Sequence, residues 1–237
     1  MSSGNKANNS RRRELGSRDR KIIDAVVRLR VLTNDSVQKL FLSEAKANAT
    51  IKVTSRLVKT GWMKACELGG RRQYYVPGVK AVRTLGLPAS RSRSLGPQAL
   101  AAQLTLLDFV TLTLPRLRVL TDKEINAVVT DATKQQRAMP LAMEIETLDG
   151  PVRLIRVDLG GSPVHVAKKL ETDLRIRSVH PYFAGLIVQR RLIMVVLTST
   201  ETKKALIEAA IAKRKWPKGI RFNLTVVRVL GSLLGGV

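Results

Sequence analysis

The 237-residue chain has few of the residues that disulfide-stabilised, zinc-binding or membrane-anchored proteins need. It has one cysteine, Cys66, and two histidines, so an intrachain disulfide framework is excluded and a Cys/His zinc site is disfavoured. No apolar run reaches the roughly 18 residues of a membrane-spanning helix. Aromatic residues make up only 4% of the chain, which disfavours a membrane-surface helix with bulky anchors.

Acidic residues are scarce relative to basic ones. The chain has 42 lysines and arginines against 18 acids, a net charge of +24. An excess of this size suits a polyanionic partner, and counterion release would make that binding strongly salt-dependent. The N-terminus lacks the apolar core that is typical of a secretion signal, so we expect a cytoplasmic protein. Its basic charge makes association with the nucleoid the expected location. We expect no membrane partner and no cofactor.

The stretch from residue 43 to 76 has the pattern of a basic helix followed by a hairpin. An apolar stripe at steps of four predicts the helix: Ala45, Ala49, Val53 and Leu57. We predict that it begins at Ser43 as N-cap and ends near Gly61. Two strand-like runs around Gly69-Gly70-Arg71-Arg72 predict the hairpin. This layout is typical of a winged helix-turn-helix, in which the helix enters the major groove of DNA.

The polar side of this helix carries side chains that reach phosphates and base edges. The predicted DNA-binding residues are Lys46, Asn48, Thr50, Lys52, Ser55, Arg56 and Lys59 on the helix, Arg71 and Arg72 at the hairpin tip, and Arg11, Arg12 and Arg13 in the N-terminal arm. Lys52, Ser55 and Arg56 are predicted to read base edges. The two hairpin arginines are predicted to hold the flanking backbone. A merely solvated basic face is the alternative.

Composition and pattern also predict the domain organisation. We predict a disordered basic arm at residues 1–16, a winged helix-turn-helix domain at 17–88, a Ser/Arg-rich linker at 89–96 and an α/β domain at 97–237. Helices are predicted at 19–30, 36–42 and 79–85 in the first domain. The part up to Leu95 has 21 basic residues against 6 acids, which locates the principal DNA footprint there.

The second half alternates helical and strand patterns, which predicts an α/β domain around a mixed sheet and an α+β chain overall. Strands are predicted at 138–147, 152–158, 192–197 and 221–229, and helices at 97–114, 163–176 and 200–213. The 192–197 run is continuously apolar, as expected of a strand buried on both faces. The 97–114 helix is apolar on several sides, so it lies between the domains or forms a dimer seam. A homodimer is expected.

Five segments are distinctive: VLTNDSVQKLF, VTSRLVKTGWM and RRQYYVPGVKAVRTLG in the first half, and LIRVDLGGSPVHVAKKLETDL and LIMVVLTSTETKKALIEAA in the second. Together they resemble the replication-relaxation family of plasmid and mobile-element proteins. The resemblance implies a winged helix joined to a C-terminal domain like that of restriction endonucleases. Some members act as mobilisation relaxases or nicking-associated factors.

The same resemblance implies where metal-dependent chemistry would lie, because active relatives hold a metal with an upstream acid, an acid-x-acid pair and a lysine. Asp158 matches the second acid of the pair, but Arg156 stands where the first would be. The candidates for the lysine and the upstream acid are Lys168, Lys169, Glu144, Glu146 and Asp149. An arginine repels a cation and removes a ligand. We therefore expect a degenerate nuclease site without metal, with Asp158 paired to Arg156 or to a helix lysine.

Three functions remain open from the sequence. The leading hypothesis is a sequence-specific double-stranded DNA-binding protein, a dimeric regulator of transcription or of the replication or transfer of a mobile element. The second is a metal-dependent DNA-nicking enzyme of the relaxase type. The third is an RNA-associated basic protein, which the scarcity of aromatic residues disfavours.

Overall fold

The structure, a computed structural model, describes residues 15–69, 72–113, 117–130, 140–144 and 150–234. Within these ranges the chain forms ten α-helices, a two-stranded sheet and a five-stranded mixed sheet. The predicted α+β class is confirmed. The three arginines of the predicted arm, Arg11, Arg12 and Arg13, and the hairpin residue Arg71 lie outside the described residues.

The first unit consists of helices followed by a hairpin and a closing helix. Its elements are α1 (Ser17–Leu29), α2 (Asn34–Phe41), α3 (Ala47–Lys59), β1 (Met63–Glu67), β2 (Gln73–Pro77) and α4 (Val79–Thr84). The two strands pair antiparallel, and Leu32, between α1 and α2, adds a bridge to Tyr75 of β2. The predicted order of three helices, a hairpin and a fourth helix is confirmed.

Helix α3 begins later than the sequence predicted. Its N-cap is Lys46, so the predicted cap at Ser43 is wrong. The turn before the helix uses the intervening residues for other hydrogen bonds. The Ala45 N–H donates to the Leu42 carbonyl (2.9 Å), and the Gln38 side-chain amide donates to the Ala45 carbonyl (3.1 Å). These bonds close the connection between α2 and α3.

The second unit is built on the five-stranded sheet. Its elements are α5 (Pro97–Asp108), a π-helical turn (Phe109–Thr113), β3 (Leu117–Val119), α6 (Asp122–Val128), β4 (Leu141–Glu144), β5 (Val152–Val157), α7 (Pro163–Ser178), α8 (Pro181–Val188), β6 (Leu192–Thr198), α9 (Glu201–Ala212), β7 (Arg221–Val226) and α10 (Arg228–Leu234). The sheet order is β3-β4-β5-β6-β7. Strands β3, β4 and β5 pair antiparallel, whereas β5, β6 and β7 are parallel.

The predicted last strand is too long. Strand β7 ends at Val226, which pairs with Thr198, the last residue of β6. Strand β6 ends at that pair, and after β7 the chain turns into α10. The predicted extension of the strand to Val229 is therefore wrong, because an apolar pattern marks burial and does not show where a neighbouring strand ends.

Strand β6 is buried on both faces, as predicted. Met194 and Val196 belong to the apolar core that is formed with α6, α7, α8 and α9. Val195 and Leu197 belong to a second core on the opposite face of the sheet. This alternation follows from the two-residue period of a strand.

Helix α5 lies in that second core, which joins the two units. Three of its buried apolar residues share one cluster with α1, β2, β5 and β6, and they are Leu104, Leu106 and Leu107. Of the two predicted placements for this helix, the structure has the one between the units. The apolar character of α5 therefore requires no second copy of the chain, and the homodimer stays a prediction.

The predicted linker packs against both units. The Leu95 N–H donates to the Tyr74 hydroxyl of β2 (3.1 Å). The linker also contains a short 3-10 helix, Ala89–Ser92. In this helix, the Arg91 guanidinium pairs with the Asp122 carboxylate at the start of α6 (3.3 Å). These contacts add polar links to the apolar core shared by the units.

Glu124 of α6 makes another connection, to α1. Its carboxylate accepts hydrogen bonds from Arg28 of α1 and from Arg118, and it accepts the Thr121 N–H (2.8 Å) in a capping box. Burial alone would raise the pKa of Glu124, but the bonds from Arg28 and Thr121 outweigh it and lower the pKa to about 2. The ionised carboxylate therefore holds the second unit against α1.

We expect this carboxylate to make stability pH-dependent in acid. Because the pKa of Glu124 is lowered by folding, its contribution is complete above the ordinary value of 4.5 and is lost as the pH falls towards about 2. Glu124→Gln should remove that part of the pH dependence, measured by urea denaturation at about pH 6 and about pH 3. The exposed Glu208 of α9 provides the control Glu208→Gln. Equal pH dependence in Glu124→Gln and the unmodified protein would refute the assignment.

Candidate nucleic-acid interface

The outward side of α3 presents four polar side chains in one row. Asn48, Lys52, Ser55 and Lys59 follow one another at steps of three or four residues, so they point in the same direction from the helix. All four are exposed, as is the N-cap residue Lys46. Within the described residues, none of these five side chains makes a hydrogen bond or an ion pair. They are therefore available to an external ligand.

The opposite side of α3 is the core face, and it includes one of the residues predicted to contact DNA. Thr50 is only 1% exposed, and it shares this face with Val53 and Leu57. The prediction for Thr50 is wrong. The physical reason is periodicity: Thr50 precedes the two apolar residues by three and seven positions, which places all three on one side of a helix.

A buried polar cluster holds α3 against α2 and the hairpin. The Thr54 hydroxyl of α3 donates to the side-chain oxygen of Asn34 (3.0 Å) at the start of α2. The Tyr75 hydroxyl of β2 donates to the same oxygen (3.0 Å). None of these three residues was predicted to belong to the site, although a polar residue at a core-facing helical position signals a buried hydrogen-bond partner. The cluster sets the direction in which the exposed row points.

Arg56 lies beside the row and is held by α1. Its guanidinium donates to both carboxylate oxygens of Asp19, at 2.7 and 2.9 Å. The Asp19 side chain is 11% exposed and that of Arg56 is 50% exposed. We therefore revise the predicted role of Arg56: it ties α3 to α1, and only its exposed part is available for a contact outside the protein.

The hairpin places Arg72 at the junction of the two units. The residue is exposed, and it lines a cavity of about 450 Å³ between α2, the hairpin, α5 and α10. Lys39 and Asp108 line the same cavity. Burial raises the pKa of the Asp108 carboxyl, and the charge of Lys39 opposes that shift. The backbone of Arg72 is bonded to Leu68 and Gly69 in the hairpin, but its guanidinium makes no hydrogen bond or ion pair within the described part of the chain.

Asp158, the residue matched to a nuclease acid, is held within the protein. It follows β5 and is 5% exposed. One carboxylate oxygen accepts the N–H groups of Gly160 (3.2 Å) and Gly161 (3.0 Å), and the other lies 3.8 Å from the Lys203 ammonium of α9. The predicted partners were Arg156 or a helix lysine, for which Lys168 and Lys169 were the candidates, whereas the charged side chain beside Asp158 is Lys203 of α9.

The other residues matched to a nuclease do not converge on Asp158. Lys168 and Lys169 are exposed on α7, and Arg156 pairs with Asp173 of the same helix (3.1 Å from the guanidinium Nε). The candidate upstream acids Glu146 and Asp149, and the side chain of Glu144, lie outside the described residues. Within the described ranges there is no group of three or more His, Cys, Asp or Glu residues that could hold a metal ion.

Comparisons of the chain with protein-family models, with curated proteins and with solved structures found no match. The resemblance to the replication-relaxation family thus stays a prediction. In the described part of the chain, no helix has both the length and the apolar character needed to cross a membrane.

Proposed function

We propose that this chain is a sequence-specific double-stranded DNA-binding protein whose first unit is a winged helix-turn-helix domain. The main support is the exposed row on α3, whose side chains have no partner within the described residues. The row consists of Asn48, Lys52, Ser55 and Lys59. An α-helix fits the major groove, where asparagine pairs with adenine, lysine with guanine and serine with either. The buried cluster behind the helix would keep the row at a constant angle to the hairpin.

The hairpin and the ends of α3 complete the proposed interface. Arg72 would contact the backbone beside the groove, and Lys46 and Lys59, at the two ends of α3, would contact phosphates on either side. Phosphate contacts position the protein without reading sequence, whereas base contacts specify the site. The net positive charge of +24 supports attraction to a polyanion along the whole approach.

We further propose that the second unit is an endonuclease-like scaffold without nuclease activity. The arrangement of Asp158 supports this, because its carboxylate is engaged by two N–H groups and lies beside Lys203. The pairing of Arg156 with Asp173 keeps a cation at the place of the missing acid. A homodimer that regulates transcription, or the replication or transfer of a mobile element, is part of the same proposal.

Binding of the full-length chain to a duplex selected from a random library tests the proposed function. We expect the logarithm of the binding constant to fall linearly with the logarithm of the salt concentration. A scrambled duplex should bind at least about a thousandfold more weakly than the selected one. Arg72→Ala should reduce the salt slope by about one. Arg175→Ala, on the exposed surface of α7, is the matched control. Equal affinity for selected and scrambled duplexes would refute sequence-specific binding.

A further inference from the structure

An exposed isoleucine interrupts the polar surface of α3. Ile51 is 48% exposed and lies three residues after Asn48 and four before Ser55, so it borders the row on the outward side. Among the described residues of α3, it is the one large apolar side chain with such exposure. The apolar residues that serve the core, Val53 and Leu57, are on the other side of the helix.

Among the described residues, Ile51 belongs to neither of the two apolar cores. A β-branched residue has a lower helix propensity than alanine or lysine. At an exposed site, burial of its side chain offsets little of that loss. Single exposed apolar residues are common on protein surfaces, so exposure alone does not indicate a binding role. The position of Ile51 does indicate one, because it lies among hydrogen-bonding side chains that have no partner in the described structure.

We propose that Ile51 determines specificity by packing on the 5-methyl group of a thymine in the major groove. This inference rests on the proposed function. The thymine methyl is the apolar group that the bases display in that groove. Asn48, one turn earlier, has the side chain that pairs with the adenine edge. We therefore expect the base pairs that Asn48 and Ile51 contact to be A·T pairs.

Replacement of thymine by uracil tests the inference, because the two bases differ only by this methyl group. Each thymine of the selected duplex is replaced in turn by deoxyuridine, and full-length protein is titrated with each duplex. We expect one replacement to weaken binding of the unmodified protein about fourfold, the value of one buried methyl group. Ile51→Ala should bind the thymine and uracil forms of that position equally.

The control is Leu206→Ala, which removes another exposed apolar side chain, 53% exposed on α9. It should keep the full thymine preference. Circular dichroism should show the unmodified helix content in Ile51→Ala, since alanine is the better helix former. A thymine preference that persists in Ile51→Ala, or the lack of any sensitive thymine in the unmodified protein, would overturn the inference while leaving DNA binding intact. Failure of the protein to prefer its selected duplex over a scrambled one would refute the proposed function itself, and the inference with it.

Discussion

Phe109→Ala is expected to lower the free energy of unfolding by about 3–5 kcal/mol. Phe109 follows α5 and is 0% exposed, inside the apolar core that contains residues of both units. Truncation of the ring removes its contacts and leaves a cavity that the surrounding side chains fill only in part. Because this core is shared, we expect the substitution to destabilise the first and the second unit together.

The two tryptophans allow each unit to be followed separately. Trp62 lies next to β1 in the first unit, and Trp216 lies between α9 and β7 in the second. Phe109→Ala is combined with Trp62→Phe or with Trp216→Phe, and fluorescence is recorded during urea denaturation. Both reporters should show the same lowered midpoint.

The control for this experiment is Val188→Ala, at an 83% exposed position of α8, which should change stability by less than about 0.5 kcal/mol. A loss of stability that is seen by Trp216 alone would show that the units unfold independently. In that case the shared core would not couple them, contrary to the prediction.

Lys52→Ala is expected to weaken binding to the selected duplex by about 1–3 kcal/mol, or roughly fivefold to 150-fold. Lys52 lies in the outward row of α3, and its ammonium group has no partner within the described residues. The loss should be largest at one base pair, because a base contact carries sequence information that a phosphate contact lacks.

Competition between the selected duplex and its single-base variants measures this effect. The matched control is Lys123→Ala, which removes the same charge from an exposed position of α6. It should weaken all duplexes slightly and alike. Were Lys52→Ala to weaken all duplexes by the same small factor as Lys123→Ala, Lys52 would be a phosphate contact at most, and its assignment as a base reader would fail.

The local elements of the first unit were predictable because each depends on neighbours in the sequence. The apolar spacing of α3, the glycines of the hairpin and the polar residues before α2 all act within a few positions. Thr33 and Ser36 form a capping box at α2, so this helix begins at Asn34, two residues before the predicted start. The continuous apolar run of β6 likewise sufficed to predict a strand buried on both faces.

Errors arose where a residue's partner lies far away in sequence. Arg56 was assigned to DNA because its basic charge is visible in the sequence, whereas Asp19, which pairs with it, is 37 positions earlier. For helix α5 the sequence allowed two placements, because an apolar pattern indicates that a helix is buried but not which surface covers it. Thr50 is a different case, since its helical position was readable and only its polar type misled the prediction.

The sequence by itself determined that this is a strongly basic α+β protein with a basic helix and a following hairpin in its first half. Composition and periodicity are properties of the chain alone, so they need no folded structure. The tertiary structure decided which side of α3 faces outward, that α5 joins the two units in one core, and that Asp158 lies beside Lys203. These depend on contacts between residues that only folding brings together, and no local pattern encodes such a contact.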